Sequence, residues 1–347
     1  MNQTGETLSL APQKVRIAWP DAARGMAIVL VVLHHAVIYS DAQGLASPWW
    51  VATTEMLRTM RMPLFFLAAG LFAGKWVTGK WRALFMNKVL LFAWVFVLWV
   101  LIRWVVLNVV PGEDSETGIW QLPLHLLWPV GGWFIFVLAI FFVLARLTIR
   151  VPRALQLATA AAASVLWFAL QDPIGNNGWD GVPTFYVFFL FGCHWRALVL
   201  EFGQRLTPFV GMALAMVWVG SYLLLANYEL ENAPVISFLL RLLGLAAGIA
   251  LARGLERIEP IRRLGQFTLP IYLSHTLWIF VAVWAATEVM DEPGLFALTA
   301  IPVIVGVVGL GLSYLLGRVA PKIHAGWLFT DPVWIRRAFD TTWKAHR

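Results

Sequence analysis

The stretch RGMAIVLVVLHHAVIYS, residues 24–40, decides how this chain is read. Apart from its first arginine it carries no charge, yet two adjacent histidines, His34 and His35, sit in its middle. Burying imidazole in hydrocarbon costs free energy unless it is hydrogen-bonded, so the pair needs partners or a task.

Working outward, the pattern recurs. Of 347 residues, 60% are hydrophobic and only 13% are charged, and the mean hydropathy is +0.74. A soluble domain carries about 25% charge. Apolar runs approaching the roughly 20 residues that cross a bilayer lie near 25–40, 48–74, 83–108, 131–149, 154–170, 182–195, 208–226, 233–252, 268–287 and 295–317. The runs are continuous rather than alternating with period two, which excludes a β-barrel. The expected fold is all-α: a polytopic membrane protein of about ten transmembrane helices. Residues 1–20 read as a cytoplasmic tail, 21–317 as the membrane domain, and 318–347 as a basic cytoplasmic tail. The first run reads as a retained anchor rather than a signal peptide, because histidines interrupt it.

Charge sets the expected orientation. Lys14, Arg16 and Arg24 precede the first run, and Lys75, Lys80, Arg82 and Lys88 follow the second. Arg146, Arg150 and Arg153, then Arg196 and Arg205, then Arg253, Arg257, Arg262 and Arg263 follow the fourth, sixth and eighth. The alternate loops are acidic: Glu113, Asp114 and Glu116; Asp172 and Asp180; Glu229 and Glu231; Glu288, Asp291 and Glu292. The positive-inside rule places both termini in the cytoplasm of a cell whose inner, or plasma, membrane holds the protein. The formal charge of +7 is then topology and attraction to anionic lipid, not a nucleic-acid footprint. Cys193, the single cysteine, excludes an intrachain disulfide and reads as a buried structural thiol.

Four basic residues fall outside that scheme: Arg58, Arg61, Arg103 and Arg241, all in or beside apolar runs. An ionisable group at such a depth marks a functional site by default. His35 lies eleven residues after Arg24, roughly 16 Å by helical rise, and Arg61 fourteen before Lys75, about 21 Å. His35 and Arg61 are therefore expected near one level at mid-bilayer. Glu55, Arg58 and Arg61 share a helix face, and Pro63 and Gly70 permit a kink or a close backbone approach. His275 lies about 10 Å inside the basic face by the same rise and is expected to line the same cavity. Arg241, near mid-bilayer without an acid in its own helix, is expected to partner Glu55 or contact substrate. His125 marks a possible acceptor entrance. His194 and His324 read as loop histidines, and most of the 20 tryptophans as an interfacial belt. No metal-ligand spacing stands out, since adjacent His34 and His35 point about 100° apart on a helix.

These spacings carry a resemblance. Arg24–x10–His35, then Arg58–x–x–Arg61 followed by PLFFLAAG, together with WPDAARGMAIVLVVLHH at 19–35, GGWFIF at 131–136 and TLPIYLSH at 268–275, is similar to the acyltransferase-3 family of integral membrane O-acyltransferases. It resembles the stand-alone members, without a fused periplasmic esterase-like domain. The resemblance implies transfer of an acyl group, acetyl or succinyl, from cytoplasmic acyl-CoA to a hydroxyl of a glycan, glycolipid or related envelope acceptor. His35 is the matching histidine, and His34 is an addition.

Such a transfer requires deprotonation of the hydroxyl, stabilisation of the thioester oxyanion and a hold on the CoA phosphates. His35 has the pKa range for a general base, and an acyl-histidine intermediate is a second route. Arg58, Arg61 and Glu55 form the expected catalytic charge cluster. Arg24, His34, His275 and Arg241 are expected to bind substrate. The competing reading is a secondary transporter or lipid-linked sugar flippase using the same buried set as a proton relay or anion site; the absence of inverted repeats speaks against it.

Overall fold

The computed structural model describes residues 17–109, 118–129, 131–290 and 293–345, with side chains to 339. Lys14, Arg16, the acidic cluster at Glu113, Asp114 and Glu116, and Asp291 and Glu292 lie outside the described residues. Among those described, every regular element is helical. A chain this apolar must satisfy its backbone hydrogen bonds within each segment, and helices do so.

The long helices are α1 (Trp19–Ala42) and α2 (Pro48–Leu71), followed by two short turns, α3 (Gly74–Val77) and α4 (Trp81–Leu84). A π-turn over Phe85–Val89 joins α4 to α5 (Leu90–Val109). After the short α6 (Leu122–Leu127) come α7 (Trp133–Leu147), α8 (Arg153–Ala169), α9 (Asn177–His194), α10 (Arg196–Arg205), α11 (Pro208–Ala226) and α12 (Pro234–Leu255). The chain closes with α13 (Glu259–Gln266), α14 (Thr268–Thr287), α15 (Leu295–Val319) and α16 (Val333–Ala345).

A helix occupies each of the ten apolar runs. Six are long and apolar enough to cross a membrane by themselves, or up to seven if the bent pair α9–α10, broken by 86°, counts as one. Helices α7 and α8 are apolar but shorter, and α2 carries Glu55, Arg58 and Arg61 along its length. The protein is a multi-pass membrane protein.

Close backbone approach fixes the centre. A Cβ at Gly70 of α2 would lie 2.2 Å from the Phe189 carbonyl oxygen of α9, and one at Gly192 would lie 2.3 Å from that of Leu67. Only glycine permits this mutual contact, the small-residue packing expected where lipid gives no hydrophobic drive. The basic end of α1 is clasped in the same way by α13, through Gly25 against Ile261 and Gly265 against Asp21.

The segment after α15 packs back on the bundle. Trp94 and Trp99 of α5 donate indole hydrogen bonds to the carbonyls of Trp327 and Leu328, each at 2.8 Å. Phe329 stacks on Trp99 at 5.6 Å, and an Arg336–Asp331 ion pair holds the turn. Trp19, fully buried, and Trp99 and Trp218, nearly so, depart from the interfacial belt expected of the tryptophans; each fills a helix–helix gap instead.

Candidate active site

One cavity of about 550 Å³ lies among α1, α2, α5, α7, α9 and α14. It gathers His34 and His35 from α1, Glu55, Arg58 and Arg61 from α2, and His275 from α14. Six of the eight expected site residues therefore meet at one place, as helical rise implied. Arg24 and Arg241 do not line it.

The histidines are arranged by backbone carbonyls. His35 Nδ1 lies 2.9 Å from the Val31 oxygen, and His275 Nδ1 lies 3.0 Å from the Ile271 oxygen. A carbonyl only accepts, so both rings carry hydrogen on Nδ1. His275 Nε2 is then a lone pair and accepts from the same His35 Nδ1–H at 3.2 Å. The tautomer this network assigns leaves His35 Nε2 unprotonated. That atom keeps its lone pair and can accept a proton. His34 packs edge-on against His35 at 5.4 Å, and its buried Nδ1 has no hydrogen-bond partner.

The cations have distinct settings. Arg58 faces Glu55 at 3.6 Å, both half-exposed. Arg61 is 3% exposed and donates to the Thr54 carbonyl at 3.1 Å. Arg103 also lines the cavity and donates to the Tyr39 hydroxyl at 3.1 Å. Arg241 is buried behind the wall, its guanidinium 3.7 Å from the Phe168 ring centre and 5.7 Å from that of Phe185. Among the described residues it forms no ion pair with Glu55, which faces Arg58; the aromatic faces supply its contact instead. Arg24 sits at the basic end, ion-paired to Asp21 at 2.5 Å and over the Phe72 ring. Gln266 of α13 donates to the other oxygen of Asp21 at 3.1 Å.

Sequence reasoning missed much of the rim. Asp180, at the start of α9, accepts from Trp167 Nε1 at 2.8 Å and from the backbone of Ile174 and Asn176 at 3.2 and 2.7 Å. It thereby folds the 170–176 loop over the cavity mouth, where Asp172, Gly175, Asn176 and Asn177 line it. The signal available was an Asn-Asn-Gly run opening on the cap Asn176, with an acid four residues on from it. Burial raises the pKa of the Asp172 carboxyl, while the Arg58 guanidinium pulls it the other way. Gly132, at φ +71°, turns the chain into α7, so GGW at 131–133 is a helix entry. The first turn of α7 is held by Tyr272, whose hydroxyl accepts from Phe134 N–H at 2.9 Å. His125, in α6, is not among the lining residues; α6 meets Trp179 of α9, which donates to the Leu127 carbonyl at 2.8 Å.

The cavity is one-ended. Its exposed lining residues, Ile38, Glu55, Gly175 and Asn177, all lie at the end of the acidic loops. Toward the basic loops Val31, Phe65, Phe96, Trp99, Phe134 and Tyr272 are all buried, and Phe65 stacks flat on Phe134 at 4.4 Å. Among the described residues no group of three His, Cys, Asp or Glu is placed to hold a metal. Cys193 lies away from the cavity, at the end of α9.

This arrangement holds a base with a set tautomer among fixed cations, in a largely desolvated pocket of a membrane bundle. Those are the parts that acyl transfer to a hydroxyl needs. Comparison with protein families agrees: the model described as an acyltransferase domain, Acyl_transf_3, matches residues 17–318. Neither a search of curated proteins nor one of solved structures returned a match. The chain belongs to the acyltransferase-3 family of membrane acyltransferases.

Proposed function

We propose that the protein is an acyl-CoA-dependent O-acyltransferase that moves an acetyl or succinyl group to a hydroxyl of a glycan or related cell-envelope acceptor. The observation that carries this reading is the assigned Nδ1–H tautomer of His35, fixed by Val31 and shared with His275.

His35 Nε2 takes the acceptor's hydroxyl proton as its oxygen attacks the thioester carbonyl. Arg58, oriented by Glu55, and Arg61 stabilise the oxyanion that forms. When the intermediate collapses, the C–S bond breaks, the ester C–O bond remains, and the proton passes from His35 to the departing CoA sulfur. His275 is a positioning residue, His34 contacts substrate, and Arg24 at the basic end meets a phosphate of CoA. Arg241 supports the wall from behind. The ten helices in the apolar runs each cross the inner membrane, with both termini cytoplasmic and residues 21–317 as the acyltransferase unit. The donor then approaches from the basic face, and the aromatic floor formed by Phe65 and Phe134 opens to admit the thioester. Gly131 and Gly132 supply the hinge for the first turn of α7.

A transporter or flippase is the second reading, favoured by one observation: a cavity open at one end and sealed at the other is a half-cycle of alternating access. The two separate cleanly. Purified protein incubated with acetyl-CoA and a mixture of envelope glycans is expected to release free thiol, and the His35→Ala variant is not. Uptake of glycan into proteoliposomes, with no thiol released in either sample, would establish the transporter instead.

A further inference from the structure

Two of the three arginines on the cavity lining have no carboxylate beside them. Arg61 and Arg103 line the cavity, and neither has a carboxylate within 4.0 Å among the described residues. Of the three acids on the lining, Glu55 pairs with Arg58, Asp180 accepts from three donors of the rim loop, and Asp172, on that loop within the field of Arg58 and Arg241, makes no ion pair with Arg61 or Arg103. Behind the Phe185 wall, Arg241 is 5% exposed, and its Nε and Nη1 have no hydrogen-bond partner. Standing positive charge without a counter-ion is costly at such depth.

An oxyanion does not meet that cost. It exists only in the transition state, so it neutralises nothing while the substrates are bound. A substrate that arrives with a formal negative charge does meet it. The cavity's exposed lining residues lie at the acidic-loop end, opposite the basic loops by which a cytoplasmic donor approaches. The standing anion therefore comes with the acceptor.

We propose that the acceptor is anionic, presenting a phosphate or carboxylate to Arg61 and Arg103 while its hydroxyl lies against His35. The planar fork of each guanidinium suits two oxygens of such a group. Tyr39 holds Arg103 on the α5 wall, and Thr54 holds Arg61 on α2, so both donors are preset before substrate enters. This inference rests on acyl transfer occurring in this cavity, and it narrows the acceptor class beyond "glycan".

The test is calorimetric titration of the full-length protein in neutral detergent with glucose 1-phosphate, glucuronate and glucose. The anionic sugars are expected to bind at least tenfold tighter than glucose, with the advantage lost in Arg103→Gln and partly kept in Arg103→Lys. Equal binding of glucose and both anionic sugars by the wild type overturns the proposal, whether or not the variants fold. Repeating the titration in phosphatidylcholine nanodiscs with and without phosphatidylglycerol identifies the source of the anion. Abolition of sugar-phosphate binding by phosphatidylglycerol would put a lipid headgroup in the site and overturn the acceptor assignment; unchanged binding supports it. These titrations contain no acyl-CoA, so they judge the anion site independently of the thiol-release assay that judges the enzyme.

Discussion

His35 and His275 show how a single proton placement sets the chemistry. Each ring sits one helical turn beyond the carbonyl it donates to, Val31 and Ile271 respectively. The helix backbone itself therefore assigns the tautomer. His275 adds a second acceptor for the same His35 hydrogen and holds the ring in that orientation. Replacing His275 by Ala is expected to lower kcat about tenfold, or 1.4 kcal/mol, with KM for acyl-CoA unchanged. A purely structural role would instead lower thermal stability and leave the turnover of the folded fraction intact. The presence of His35 at working depth was legible from eleven residues of helical rise. Its link to His275 was not, because it joins residues 240 positions apart, and only the packing of α1 on α14 brings them together. Arg241 shows the opposite limit: depth was readable, but the face of α12 that carries it turns toward Phe168 rather than into the cavity.

At the scale of elements, glycine contacts decide where helices may sit. In Gly265 of α13, an added Cβ would lie 1.7 Å from the Asp21 carbonyl oxygen, and in Gly25 of α1 it would lie 1.9 Å from that of Ile261. The obstacle is backbone in both cases, so the helices must part. Gly265→Ala is expected to destabilise the protein by about 1–3 kcal/mol, the usual cost of overpacking, read as a lowered unfolding temperature in detergent. Gly294→Ala, with open space around it, is the matched control and is expected to change little. The sequence pattern located the apolar elements closely, since each of the ten runs holds a helix. It did not distinguish helices that face lipid from those that face the site. Leu295–Ile323 meets the length and hydropathy of a span, whereas α2 buries Arg61 and carries Glu55. Hydropathy sets α2 apart, but not α1, α5 and α14, which qualify as spans and still line the cavity. Nor did composition show that residues 326–329 return to α5, because carbonyl acceptors for Trp94 and Trp99 leave no trace in side-chain character.

At the scale of the whole molecule, the cavity lies between two faces of opposite charge. Basic residues such as Arg196, Arg253 and Arg262 mark one end, and Asp172, Glu229 and Glu288 mark the other. The exposed mouth of the site opens at the acidic end, and a stacked aromatic floor closes it toward the basic end. In the proposed cycle the donor and acceptor meet at His35 from opposite sides, which separates a charged thioester from bulk water on the acceptor side. The most direct measurement is single-turnover transfer of labelled acetyl from acetyl-CoA, supplied only at the basic face of oriented proteoliposomes, to an acceptor supplied only at the acidic face. Wild-type protein is expected to acylate the acceptor while CoA stays on its own side, and His35→Gln, folded to the same unfolding temperature, is expected to be at least 100-fold slower. Transfer by His35→Gln at the wild-type rate would contradict the account.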